Sequence, residues 1–198
     1  MLRIGLTGSI ATGKSTVLEM FEALGVPVFS SDAAVHALYA GPAAAAIEGI
    51  FPGVAADGAV DRAELSRRLL AEPEKLAEIE AVVHPMVRSE VARFFTAAEE
   101  QGAPFAIADV PLLFERGFDY GLDAVIVTVV DESVQRERAL ARPGMSVDKL
   151  EAMLARQLSQ SEKKRRADYV LDTSVSIDAT RRDVEALAEK LKATAKGQ

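Results

Sequence analysis

The chain has 198 residues, 49% of them apolar and 27% charged, which is the composition of a folded globular chain and far from that of a disordered one. Its net charge of −7 and pI near 5.0 exclude a broad basic surface that would track a nucleic-acid backbone. With no cysteine and two histidines, disulfides, thiolate catalysis and Cys- or His-rich metal centres are excluded as well.

The length suits one domain, 1–198, which can bury roughly 70% of its extended-chain surface and has room for an inserted subregion. The N-terminal stretch Met1-Leu2-Arg3-Ile4-Gly5 lacks the apolar core of a signal peptide, and no apolar run approaches the roughly 18 residues needed to cross a bilayer. The expectation is a cytoplasmic protein without membrane or nucleic-acid partners.

Five short apolar runs, 3–7, 26–29, 105–110, 124–130 and 169–171, are the candidate strands. Most are continuous, as in strands covered on both faces, and helical patterns separate them. That alternation predicts an α/β fold with a five-stranded parallel sheet between helical layers. After the first run comes a helical pattern over 16–24, closed by Gly25. An insert of helical spacing follows at 33–102, punctuated at Gly41-Pro42 and at Pro52-Gly53 to Gly58, with Asp61 as N-cap of a helix through Leu70. Helical segments 132–141 and 147–156 flank Arg142-Pro143-Gly144, which places a small lid at 136–150. The basic run 163–166 reads as a solvated helix C-terminus.

Gly8-Ser9-Ile10-Ala11-Thr12-Gly13-Lys14-Ser15 fits G-x-x-x-x-G-K-[ST] between a strand and a helix. The glycines let successive N–H groups converge on phosphates, and the helix N-terminus adds its positive dipole end. Lys14 is assigned to the β- and γ-phosphates of ATP and the Ser15 hydroxyl to Mg²⁺. Gly8, Ala11, Thr12, Gly13 and Thr16 complete the nucleotide cradle.

No guanine-reading Asn-Lys-x-Asp motif occurs, and the chain is too short for a motor domain. Asp32 follows the second strand, at the sheet edge where a base would stand; the other reading is an N-cap of a helix beginning at Ala33. Asp109 closes the third strand as a Mg²⁺-supporting acid does, or as an ordinary strand-end aspartate. Arg136, Arg138 and Arg142 cluster by the lid, and Arg142, beside the Pro-Gly break, is the one assigned to the transferring phosphoryl group.

With these residues in view the sequence resembles the dephospho-CoA kinase family over nearly its whole length. Asp57-Gly58 with Asp61-Arg62 and Leu65, the His84-Pro85 pair, Val110-Pro111-Leu112-Leu113-Phe114-Glu115, Arg142, Arg156-Gln157 and 167–172 all fall in family-like positions. The resemblance implies the P-loop nucleotide-kinase fold and ATP-dependent phosphorylation of the ribose 3′-hydroxyl of dephospho-CoA. It implies Lys14, Asp32 and Arg142 as catalytic residues and Asp32, His84, Leu112, Leu113 and Glu115 at the acceptor, between the insert and the 110–115 loop. His84 reads equally as part of a helix-breaking corner, and Leu112 to Phe114 as core. The chain departs from the family pattern at Ser30, where Asp is usual, at Thr173, where Asn is common, and in the loop, where Ser-Ile-Ala-Thr replaces Gly-Ile-Gly-Ser. Rival readings are another small-molecule P-loop kinase, for nucleoside monophosphates or sugars, and a nucleotide-sensing module without catalysis.

Overall fold

The structure, a computed structural model, describes residues 1–197. In chain order its elements are β1 (Leu2–Gly8), α1 (Lys14–Ala23), β2 (Val28–Ser30), α2 (Ser31–Tyr39), α3 (Ala44–Ile50), β3 (Ala55–Ala56), β4 (Ala59–Val60) and α4 (Arg62–Ala71). After a 3-10 turn at Pro73–Lys75 come α5 (Leu76–Glu100), β5 (Phe105–Asp109), α6 (Leu113–Arg116), β6 (Ala124–Val129), α7 (Glu132–Leu140), α8 (Val147–Leu154), α9 (Gln160–Arg166), β7 (Tyr169–Asp172) and α10 (Ile177–Lys196). They divide into two units, one of Met1–Phe29 with the chain from Phe95 onward, the other of Ser30–Phe94.

The first unit is built on a five-stranded parallel sheet of order β2-β5-β1-β6-β7. β1 runs in register with β5 on one side, Leu6 opposite Asp109, and with β6 on the other, Gly8 opposite Thr128. Alternation along β1 sends Leu2, Ile4 and Leu6 to one face, where they join Val17 and Phe21 of α1 and Val184, Leu187 and Leu191 of α10 in the main core. On the other face Leu113 and Leu122 lie over Gly5. Strands covered on both faces are why the sequence runs are continuously apolar.

Parallel order sends the loops after β1, β5 and β6 to the same edge, so the phosphate-binding motif, Asp109 and α7 leave the sheet from one side. A second, smaller cluster forms there from Ile10 and Ala11 of the loop with Ala139, Leu150, Met145 and Leu154. The two helices expected to carry a lid are thus rooted on the loop itself, while 141–146 between them is mostly exposed.

The second unit is helical except for the antiparallel pair β3–β4, which is too short to register as a strand pattern in the sequence. Ser30, not Asp32, caps α2: its Oγ accepts from the Ala33 N–H, and the helix begins at Ser31. This settles the N-cap alternative for Asp32, which occupies the first turn instead. α5 runs unbroken over 25 residues with Pro85 inside it, so the His84-Pro85 pair does not end a helix, although Pro85 has no N–H to offer the preceding turn.

Asp61 caps α4 as expected, its Oδ1 accepting from Ala63 N at 2.9 Å and Glu64 N at 3.0 Å. Asp61→Ala should lower stability by about 1 kcal/mol, read as a shift in urea midpoint at unchanged slope.

Candidate active site

Local geometry makes the 8–15 loop. Ala11 (φ 60°) and Gly13 (φ 78°) both take the left-handed backbone, which folds the chain back on itself between β1 and α1. Gly13 leaves so little room that a Cβ there would stand 3.2 Å from Thr173 Oγ1. At Gly8 an added Cβ would collide with Thr128 Oγ1 and stand 2.6 Å from Thr12 Oγ1.

Hydrogen bonds hold the loop from behind. Thr12 is fully buried; its hydroxyl donates to Ser9 O at 2.9 Å or shares a 2.7 Å bond with Thr128 Oγ1. Thr173 Oγ1 donates to Thr12 O at 3.0 Å, and Arg138 in turn grips Thr173, its two terminal nitrogens reaching Oγ1 at 3.1 Å and the carbonyl at 2.9 Å. Gln157 Oε1 accepts from Ile10 N and Gln135 Nε2 donates to Ile10 O.

The front of the loop has a different character. Five helices, α2, α4, α8, α9 and α10, carry a Ser or Asp side chain on their N-terminal N–H groups. α1 has no side-chain cap and no acid in its first turn, although it carries Lys14, Ser15 and Thr16 there. A ten-residue helix left uncapped at the end of a turn of converging amides presents unmatched N–H donors and the positive end of its dipole, which is an anion site.

Lys14 Nζ is paired with Asp109 Oδ1, so these two charges neutralise one another. Beside them opens a cavity of about 370 Å³, lined by Ala11, Gly13, Thr16, Arg138, Arg142 and Thr173 and walled further by Val175 and Ile177. Its size and its mix of apolar wall with a few polar groups suit a small aromatic ligand such as a nucleoside.

The remaining expected residues are distributed as follows. Arg142 lines the cavity, whereas Arg136 is bound to Glu151 at 2.5 Å and to Glu132 at 3.5 Å. Leu112 takes the left-handed backbone (φ 57°) just before α6, Leu113 is buried against the sheet, and Glu115 turns inward. Its Oε1 lies 2.8 Å from Lys163 Nζ and accepts from Leu158 N at 2.9 Å. At that distance the two charges form a close ion pair. Lys163, at 1% side-chain exposure, is therefore not part of a solvated basic run. Asp32 and His84 belong to the second unit, Asp32 exposed in α2 and His84 half-buried in α5.

Sequence reasoning missed Thr128, Gln135, Gln160 and Lys163 as parts of this site. Gln157 carried a signal only through its place in a family-like stretch, Thr173 only as a departure from the family pattern, and Arg138 only through its neighbours.

A parallel sheet with this strand order, a G-x-x-x-x-G-K-S loop entering an uncapped helix and a nucleoside-sized cavity define a P-loop kinase fold. The solved shikimate kinase from Bacteroides thetaiotaomicron has the same fold over 95% of this chain and 98% of its own, at TM-score 0.54 and 17% identity. The dephospho-CoA kinase family model matches residues 2–179. The dephospho-CoA kinase of Rhizobium meliloti (strain 1021) is 50% identical over 193 residues, covering 98% of this chain and all of its own. That of Rhodopseudomonas palustris (strain HaA2) is 49% identical over 189 residues, 96% of this chain and 95% of its own. Among solved structures, TT1252 from Thermus thermophilus aligns at TM-score 0.78 and 32% identity over 96% of this chain and 97% of its own. The chain belongs to the dephospho-CoA kinase family.

Burial pushes the Glu115 carboxyl up, but Lys163 and the Leu158 N–H outweigh it and hold the group below the usual carboxylate range. A lowered folded pKa means the pair's stabilisation is complete above an unfolded glutamate's value of about 4.3 and is lost as pH falls through the folded value. Lys163→Met, which strands the buried carboxylate, should cost about 3 kcal/mol at pH 7. Urea unfolding against pH should show that deficit shrinking as the medium becomes acid enough to protonate Glu115.

Proposed function

We propose that the chain transfers the γ-phosphoryl group of ATP to the ribose 3′-hydroxyl of dephospho-CoA, giving CoA and ADP in the last step of coenzyme A synthesis. The observation that carries the phosphoryl donor is the uncapped N-terminus of α1, with no acid in its first turn, at the end of a loop whose Ser9, Ile10 and Thr12 carbonyls are satisfied internally. Family membership over nearly the whole chain carries the acceptor.

The triphosphate takes the amides of 8–16, and its base and ribose take the cavity beside Arg138, Thr173 and Ile177. Lys14 leaves Asp109 for the β- and γ-phosphates, an exchange of one anion for another. Asp109, thus released, and Ser15 are a donor set that fits Mg²⁺, which takes one or two protein oxygens and completes its shell with phosphate and water. When bound, the ion neutralises charge on the phosphate oxygens.

Asp32 accepts or orients the proton of the 3′-hydroxyl as its oxygen attacks the γ-phosphorus and the bond to the β-phosphate oxygen breaks. Arg142 stabilises the charge on the transferring group. The helical unit 30–94 supplies acceptor recognition through Asp32 and His84, aided by Leu112, Leu113 and Glu115 in positioning the 110–115 segment. The lid region 136–150 closes over the nucleotide and keeps water, a competing acceptor, from the phosphorus. A cytoplasmic enzyme is expected; among the described residues no helix is long and apolar enough to cross a membrane.

An ADP-release assay across dephospho-CoA, AMP, CMP and gluconate tests the acceptor, with turnover expected for dephospho-CoA alone. A preference for another acceptor would reassign the substrate, and ATP binding without ADP release would favour a nucleotide sensor. Lys14→Ala should reduce kcat/KM by at least ~100-fold. Asp32→Asn should lower kcat by ~100-fold or more while leaving the KM for ATP nearly unchanged, and near-normal turnover would remove Asp32 from the chemistry.

A further inference from the structure

A one-way relay of side-chain amides ends on the phosphate loop. Val130 N–H, just past β6, donates to Gln160 Oε1 at 2.8 Å; Gln160 Nε2 donates to Gln135 Oε1 at 2.9 Å; Gln135 Nε2 donates to Ile10 O at 2.7 Å. The direction is forced at both ends, because a backbone N–H only donates and a carbonyl only accepts, so each glutamine amide has one consistent orientation. From the other side Gln157 Oε1 accepts from Ile10 N at 3.0 Å. Both backbone polar groups of one loop residue are therefore held by glutamine side chains, one on α7 and one just past α8.

The residue after it explains why such a clamp is needed. Ala11 sits at φ 60°, where a Cβ crowds the following carbonyl and the right-handed region is preferred. A trans peptide points its C=O and N–H in opposite directions. Gripping Ile10 O from inside thus turns the Ala11 N–H outward, toward the side where α1 is uncapped. Gln157, gripping Ile10 N–H, turns Ser9 O the other way, where Thr12 N and Oγ1 meet it at 3.3 and 2.9 Å.

We propose that Gln135 and Gln157 are positioning residues that hold Ala11 in the left-handed conformation and so preorganise the loop for the triphosphate, with Gln160 setting the orientation of Gln135. This rests on the nucleotide reading of the loop but not on the identity of the acceptor. The clamp does for alanine what a glycine would do unaided.

The test is calorimetric titration of the full chain with ATP and Mg²⁺, paired with steady-state kinetics. Gln157→Met and Gln135→Met, uncharged and of similar length, should each weaken ATP binding about tenfold, roughly 1.4 kcal/mol, with the KM for dephospho-CoA unchanged. Gln160→Met, one step back along the relay, should give a smaller loss of about threefold, because Gln135 can still reach Ile10 once free to turn. In a chain carrying Ala11→Gly, the penalty of Gln157→Met should fall from about tenfold to about twofold, because glycine adopts the conformation without the clamp.

An unchanged ATP affinity in both Met variants would overturn the proposal, as would an equal rise in both KM values or a penalty that is the same with alanine and with glycine at that position. The wild-type titration judges the nucleotide reading by itself: a wild-type chain that binds no ATP sinks that reading, whereas equal binding by wild type and variants sinks only the clamp.

Discussion

The carbonyls of a loop whose amides converge on an anion must face the protein, and each one buried there needs a donor. That constraint organises the first unit. Ser9 O is met by Thr12, Ile10 O by Gln135, Thr12 O by Thr173 and Gly13 O by Val17 N. The donors come from the loop itself, α7, the segment after β7, and α1, while Gln157 past α8 accepts from the Ile10 N–H and Thr128 of β6 bonds the Thr12 hydroxyl, so nearly every element beside the loop contributes a group to its reverse side. What remains on the outer side is the set of N–H groups at the start of α1, which no side chain among the described residues caps.

The same division bears on the cap of α1, although α3, α6 and α7 also lack a side-chain cap. Serine and aspartate close the N-termini of five other helices, where the helix only has to be stable. At α1 stability is supplied by Val17 and Phe21 in the core, and the terminus is left for binding. Lys14 and Asp109 follow the same logic as charges: paired with each other, they keep a site made for a highly charged ligand from carrying its full field.

Whatever is local was readable in the sequence. All five strands of the sheet lie within about two residues of the apolar runs, the Asp61 cap is where the turn signal put it, and the phosphate loop is a contiguous motif. Long-range polar partners were not readable. Gln135, Gln157 and Gln160 are residue types that usually face water, and nothing in their own neighbourhoods says that a loop 125 or more residues away depends on them. Lys163 was hidden in a basic run, because its three neighbours do behave as surface charges. His84-Pro85 misleads for the opposite reason: local chemistry argues for a break, and the surrounding helix carries through it.

The Glu115–Lys163 pair has a consequence for how this chain can change over time. Either residue alone is a liability once the other is gone, since a lone charge in that place has no solvent to turn to. An apolar pair of matching volume would fill the space but leave the Leu158 N–H without its Glu115 acceptor, and no single substitution leads there without passing through a damaged intermediate. The two positions, distant in the chain, should therefore be inherited as one character, retained together or replaced together.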